Sequence, residues 1–278
     1  MRTAQHAQLA LLLEVAGTPK PGNVDRHRDF DDLRFEHFLT GAVGACDGLE
    51  AAAAGEPVGE SFDTAVAGMS QQRGGNAQFG ALLLLVPLVR AATTWGLTPE
   101  ETAAAVEATT VDDAAGFYRA FEHVDVFVDE PPAEAEDLDV RRGADAIPAL
   151  RDRGLTLYDV MELSAPEDGV AAEWTNDFRR TFAAAETVRD GDGPVPNRIT
   201  EAFLELLAGE PDTMVAKQHG AAVAESVSER AATLRHADRD EREAFADELV
   251  ERGVNPGTTA DITAAATFVA LERDGVVP

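Results

Sequence analysis

The sequence predicts an all-α protein: a multi-helix fold in a single domain spanning residues 1–278. Three observations lead there. Hydrophobic residues make up 45% of the chain and aromatics only 6%; much of the apolar content is alanine, which suits close-packed helices better than sheets. Apolar residues recur at helical spacing along most of the length. Only residues 124–128 read as a strand, and that run is too short and isolated to imply a sheet.

Taken in order, Leu9, Leu12, Leu13 and Ala16 fall on one face of a first helix, stopped by Gly17 ahead of Pro19. Residues 33–54 are alanine-rich and close at Gly55. Residues 79–95 are apolar nearly all round, which marks a buried central helix rather than an amphipathic surface one. Thr98 is an N-cap, with Glu101 three residues on as its capping-box partner. Ile199, Phe203, Leu206 and Leu207 mark a helix ended by Gly209 and Pro211, and residues 214–234, 239–252 and 259–271 read as three more. Between them, residues 129–139 are rich in Asp, Glu and Pro and read as a solvated acidic loop. Residues 189–197 carry two glycines and two prolines and read as a second loop. Neither break separates regions of different composition, and no internal repeat is visible.

Charge narrows the function. The formal net charge is −28, from 51 acidic and 23 basic residues, and only two of the basic residues, Lys20 and Lys217, are lysines. An acidic, lysine-poor surface fits a protein working in concentrated salt, where self-repulsion is screened over a few ångströms and the charge maintains solubility. A basic partner is the other reading of such a surface. Nucleic acid is excluded as a general partner, because no basic stripe exists to neutralise phosphates. The longest apolar run, residues 81–89, contains Pro87 and stops at Arg90, short of the roughly 20 residues of a membrane span. The N-terminus lacks the basic-then-apolar layout of a signal peptide. A single cysteine, Cys46, precludes an internal disulfide and fits a reducing compartment. We expect a soluble cytoplasmic protein without a membrane partner; a homo-oligomer is left open.

No P-loop, GxGxxG, GxSxG or HExxH motif occurs, nor any Cys/His ligand spacing. Three segments nevertheless interrupt helical pattern with polar, charged and glycine residues together. Residues 18–26 read TPKPGNVDR, a turn fixed by two prolines and a glycine that presents Lys20 beside Asp25. Because lysine is so scarce, Lys20 is expected to do what the broad guanidinium fork cannot; a helix-ending turn with a surface ion pair is the plainer reading. Residues 73–80 read RGGNAQFG and lead straight into the apolar helix, where glycines and free N–H groups favour an anion and Arg73 adds a phosphate fork. Residues 255–261 read NPGTTAD, in which Thr258 and Asp261 also fit a capping box. Asp113 and Asp212 could each supply a carboxylate to Mg²⁺ or simply sit at a helix start.

The blocks PKPGNVDR, GGNAQFG, PDT…K and NPGTTAD, in this order on a helical chain, resemble the signature of the triphosphoribosyl-dephospho-CoA synthase family. The resemblance runs from about Glu14 to Leu271. Two departures stand out. The family typically has Leu where this chain has Asn23, and Asn-Thr-His-Lys-Gly where it reads Asn76-Ala77-Gln78-Phe79-Gly80. The resemblance implies transfer of the triphosphoribosyl group of ATP to the ribose 2′-hydroxyl of 3′-dephospho-CoA with release of adenine. A related transferase with another acceptor, or a nucleotide-binding protein without turnover, are the alternatives. Such a reaction needs groups for an uncleaved triphosphate, carboxylates for a metal and an oxocarbenium-like centre, and an acid and a base. On that basis the phosphates are expected on Lys20, Arg73 and the Gly74–Gly75 backbone, with Lys217 in reserve. Asp25 and Asp261, then Asp113 and Asp212, are expected to serve Mg²⁺ or as base. Asn23, Asn76 and Asn255 are expected to orient ribose or adenine.

The charge yields a first prediction. The fold should be more stable at about 2 M KCl than at about 0.05 M, on either side of the ionic strength where the Debye length is about 10 Å. Equal unfolding temperatures in the two buffers would remove the salt argument.

Overall fold

The computed structural model describes residues 1–131 and 133–278, with residues 133 and 134 by their backbone alone. Among these, sixteen α-helices follow one another. The first seven are α1 (Thr3–Ala16), α2 (Phe35–Gly44), α3 (Cys46–Ala54), α4 (Val58–Met69), α5 (Phe79–Thr94), α6 (Pro99–Glu107) and α7 (Val111–Ala120). Two 3₁₀ segments, Ala133–Leu138 and Val140–Ala146, lead to α8 (Ile147–Arg153), α9 (Leu157–Ser164), α10 (Gly169–Thr175) and α11 (Arg179–Asp190). The chain ends with α12 (Val195–Gly209), α13 (Thr213–His219), α14 (Ala221–Leu234), α15 (Arg239–Glu251) and α16 (Gly257–Glu272). The fold is all-α, with no strand among the described residues.

α5 and α16 form the axis. Both are apolar on every side and both are buried along most of their length. α16 packs against α1, α5, α11 and α12, so helices from both ends of the chain share one interior. A second, smaller core holds Phe203, Leu207, Val227, Phe245 and Leu249 from α12, α14 and α15. α12 serves both cores, since its Ile199, Ala202 and Leu206 face the main one.

Glycine sets how closely α2–α4 and α7 approach. Gly44 of α2 meets Gly68 of α4 backbone to backbone, and Gly48 of α3 lies against the backbone of α4 at Ser61 and Ala65. Gly59 and Gly116 do the same where α4 crosses α7. A side chain at any of these crossings would overlap main-chain atoms, which cannot move aside as a flexible side chain can.

Several elements differ from the sequence expectation. Residues 33–54 form two helices, turning at Ala45 where Gly44 is pressed against α4. Residues 214–234 divide at Gly220, whose φ of +91° no helix accommodates. Residues 124–128 pair with no strand, and residues 125–128 line a cavity. The acidic segment is not a free loop: Leu138 is buried, and the Tyr118 hydroxyl donates to its carbonyl at 2.6 Å. Pro132 of that segment lies outside the described residues. The Thr98 cap forms, its hydroxyl accepting from the Glu101 N–H at 3.2 Å. Among the described residues no single helix is long and apolar enough to cross a membrane.

Gly44→Ala should therefore lower stability by roughly 1–3 kcal/mol, the usual cost of overpacking. Gly209→Ala, on open helix surface where an added Cβ would meet nothing, should be neutral or slightly stabilising. Thermal unfolding of the two variants side by side checks this.

Candidate active site

A cavity of about 840 Å³ opens beside the N-terminal ends of α5, α10 and α16. Its walls come from the end of α1, residues 23–24, the glycine loop at 74–78, the aromatic face of α7 and residues 125–131. Phe79, Phe117 and Phe121 form one aromatic wall, with ring centroids 4.8 to 6.3 Å apart. The lining is also rich in carboxylates, and among the described lining residues Lys217 is the cationic one.

The first and last sequence blocks meet at the floor. Gly22 has φ +71°, and a Cβ there would overlap the Val254 carbonyl oxygen, so only glycine lets the two turns close. Asn23 then donates through Nδ2 to Asn255 Oδ1 at 2.9 Å and to the Pro256 carbonyl at 3.3 Å. Asn23 and Asn255 both line the cavity.

Lys20 does not line it. Its side chain is 1% exposed, forms an ion pair with Glu14 and lies 5.8 Å from the centre of the Phe203 ring. The turn folds Lys20 inward because Glu14, on the last turn of α1, needs a cation in a buried position. Removing one partner of such a pair leaves an uncompensated charge and costs about 3–5 kcal/mol. Asp25 is also withdrawn. It is fully buried, accepts from the His27 N–H at 2.8 Å and pairs with Arg28 at 3.2 Å. Arg28 continues to Asp247 at 2.6 Å and to the Glu243 carbonyl, which anchors the turn to α15. Lys20 and Asp25 are thus placed behind the cavity, where neither can touch a phosphate or a metal directly.

Asp261 does reach the cavity. It lies in the second turn of α16, enclosed by protein, and its remaining exposure opens on that space. The Ala81 N–H at the start of α5 donates to it. Gly80 makes this contact feasible, since a Cβ there would overlap Asp261 Oδ2. Burial, then the nearby charge of Glu14 and Asp212, push its carboxyl well above the usual carboxylate range. The capping box with Thr258 does not form, and Thr258 instead shares a hydrogen bond of 3.0 Å with Thr213.

Asp212 caps that helix from outside. One oxygen accepts from the Thr259 N–H and hydroxyl at 2.7 Å each, and the other caps α13 through the Val215 N–H at 3.1 Å. Asp113 is similarly occupied. It closes a capping box with Thr110 and accepts from the Gly59 N–H at 2.8 Å. Of the four carboxylates expected for Mg²⁺, only Asp261 lines the cavity, and Asp25, Asp113 and Asp212 are engaged by several protein donors each. Among the described residues no three of His, Cys, Asp and Glu gather to hold a metal. The described residues thus form no ready-made protein cage for a divalent ion.

In the glycine loop, Gly74, Gly75 and Asn76 line the cavity, and Asn76 Oδ1 accepts from the Phe79 N–H at 3.0 Å to start α5. Arg73 is exposed and lies outside the lining. Lys217 bonds Asp168 Oδ2 at 2.7 Å, while Asp168 Oδ1 caps α10 through the Val170 and Ala171 N–H groups.

Three residues here were not singled out from the sequence: Glu14, Gln78 and Asp168. Glu14 had a signal. It follows Ala7, Ala10 and Leu11 on the buried face of α1, where a charge is out of place. Gln78 is 4% exposed, and neither atom of its amide has a partner. Asp168 had no signal beyond an ordinary helix start.

The helical fold recurs in known structures. A crystal structure from Archaeoglobus fulgidus, provisionally described as a triphosphoribosyl-dephospho-CoA synthase, superposes with a TM-score of 0.69 at 25% identity. The match covers 84% of this chain and 97% of that one. No curated protein matches the chain in sequence. Fold and family match together define an all-helical transferase. The family described as CitG, ATP:dephospho-CoA triphosphoribosyl transferase, matches residues 1–277, and the chain belongs to it.

The environment of Asp261 predicts a pH effect on stability. A carboxyl raised by folding binds its proton more tightly in the folded than in the unfolded state. Its contribution is therefore present at low pH and lost as pH rises through the folded value. Asp261→Asn, which is neutral throughout, should gain stability over the parent as pH climbs above the ordinary carboxylate range. The two should converge near pH 4, the usual carboxylate value. Thermal scans in molar KCl across pH 4–8 read this, at roughly 2–4 °C for each kcal/mol.

Proposed function

We propose that this protein transfers the 5-triphosphoribosyl group of ATP to the ribose 2′-hydroxyl of 3′-dephospho-CoA and releases adenine. The carrying observation is the single cavity onto which Asn23, Gly74, Gly75, Asn76, Lys217, Asn255 and Asp261 converge from four separated stretches of sequence. ATP is a substrate of the family reaction, and the cavity volume falls within the ordinary range for small-molecule sites.

The cavity suggests how the substrates lie. Adenine and its ribose suit the aromatic wall of Phe79, Phe117 and Phe121 and the Asn23–Asn255 amides. The triphosphate suits the Gly74–Gly75 backbone and the N-terminus of α5, where backbone dipoles favour an anion, with Lys217 within reach. Exposed Phe127 and Leu163 at the rim offer apolar surface to the extended arm of the acceptor. With so few cations in the wall, the triphosphate would arrive with its own cation, as Mg·ATP, retaining water and phosphate as most of that ion's ligands.

A different acceptor is the second reading. It is favoured by Gln78 and Phe79, which replace the family's His and Lys in the cavity wall.

The test is product analysis in molar KCl with Mg·ATP and 3′-dephospho-CoA. Adenine should appear without inorganic phosphate, and the acceptor should gain the mass of a triphosphoribosyl group. Adenine formed only with another acceptor would select the second reading. ADP or phosphate as the sole product would contradict glycosyl transfer, and ATP binding without release would indicate a nucleotide-binding protein.

A further inference from the structure

Transfer between two ribose centres requires the acceptor hydroxyl to lose a proton and the departing adenine to gain one. Two carboxyl side chains at the floor of the cavity are placed for this, and one of them, Glu14, has no evident part in local structure. It does not cap a helix, and it occupies a buried position on α1 that an apolar residue would fill without needing a buried lysine to balance it. Its partner Lys20 is held in turn by a rigid turn whose other members, Asn23 and Asp25, are fixed to Asn255 and Arg28. A buried carboxylate, facing a cavity on one side and a dedicated cation on the other, is an arrangement for chemistry.

We propose that Glu14 is the base that takes the 2′-hydroxyl proton of the acceptor, that Lys20 is its positioning residue, and that Asp261 gives a proton to the departing adenine. The assignment rests on the transfer reaction proposed above. In the step, the C1′–N9 bond of ATP breaks and a bond forms between C1′ and the acceptor O2′. The hydroxyl proton passes to Glu14, and the Asp261 proton passes to adenine, which leaves neutral. A proton then returns from Glu14 to the nearby Asp261, so the cycle closes with no net proton uptake.

The charged surroundings separate the two roles. Glu14 faces Lys20 and Asp25 from the turn, and Asp25 is neutralised by Arg28. Burial raises the Glu14 carboxyl, and Lys20 draws it back toward the ionised form. Asp261 faces Glu14 from α1, Asp212 at the start of α13 and Asp168 at the start of α10, with the Ala81 N–H as a donor from α5. The leading influences on it are these carboxylates and that N–H group, and the cavity's lysine, Lys217, is bonded to Asp168. Paired carboxyls in environments that push their proton affinities apart are the usual sign of an acid and a base.

The experiment measures adenine release against pH in molar KCl, with saturating Mg·ATP and 3′-dephospho-CoA. Glu14→Gln should lose about 10²–10⁴ in kcat, the range for general acid–base catalysis, while the dissociation constant for ATP changes little. Because that variant strands Lys20, the neutral pair Glu14→Gln with Lys20→Met is made alongside it. The pair should unfold at a temperature close to the parent's and show the same loss of kcat. Lys20→Met alone should shift the acidic limb of the profile to higher pH, an effect a purely structural lysine would not produce. Asp261→Asn should abolish the alkaline limb and lower kcat, with ATP binding retained. A well-folded neutral pair that turns over at the parental rate, or an Asp261→Asn enzyme with an unchanged profile, overturns the assignment and leaves the transfer reaction standing. A parent protein that releases no adenine overturns both.

Discussion

The closure of the residue 19–25 turn onto the residue 253–257 turn governs the architecture of the site. The contact depends on Gly22, which admits the Val254 carbonyl where any side chain would collide with it. Once closed, it aligns Asn23 with Asn255, turns Lys20 toward Glu14 and brings the end of α1 beside the start of α16. The two segments lie more than two hundred residues apart, so nothing local holds them together. Close backbone approach and buried hydrogen bonds supply the specificity, and the shared interior of α1, α5 and α16 supplies most of the favourable free energy.

Around this closure the acidic side chains divide into two groups. Asp25, Asp113 and Asp212 hold backbone in place: each is buried, and each has oxygens engaged by N–H, hydroxyl or guanidinium donors. Glu14 and Asp261 have fewer protein donors and face open volume. The distinction is physical. A carboxylate with its lone pairs filled by a helix start stabilises the fold, whereas one kept among other carboxyls in a cavity is maintained at a cost to the fold, and function is the usual reason. The two lysines divide in the same way. Lys20 is a buried counter-ion whose compact head fits beside Glu14, and Lys217 stands at the cavity wall with Asp168. Of the two lysines singled out in the sequence, Lys217 lines the cavity and Lys20 lies behind it.

The sequence by itself determined the helical class, the central buried helix at 79–94 and the three segments that build the floor and wall of the cavity. It could do so because these signals are local. Helical period, caps such as Thr98, and proline–glycine turns act over a few residues, and an all-round apolar run can only be interior. It also determined the charge regime, since net charge is a property of composition. Where local pattern was continuous but the backbone was not, the sequence misled. Residues 33–54 break at a glycine crossing, and residues 214–234 break at Gly220. Only the tertiary structure decided which polar residues face the cavity. Lys20, Asp25 and Asp261 look alike as charged residues in conspicuous turns, and their different fates are set by how the chain folds back: Lys20 and Asp25 turn inward onto Glu14 and Arg28, close in sequence, whereas Asp261 meets the distant start of α5. Burial and pairing are properties of the folded interior, and no spacing along the chain encodes them.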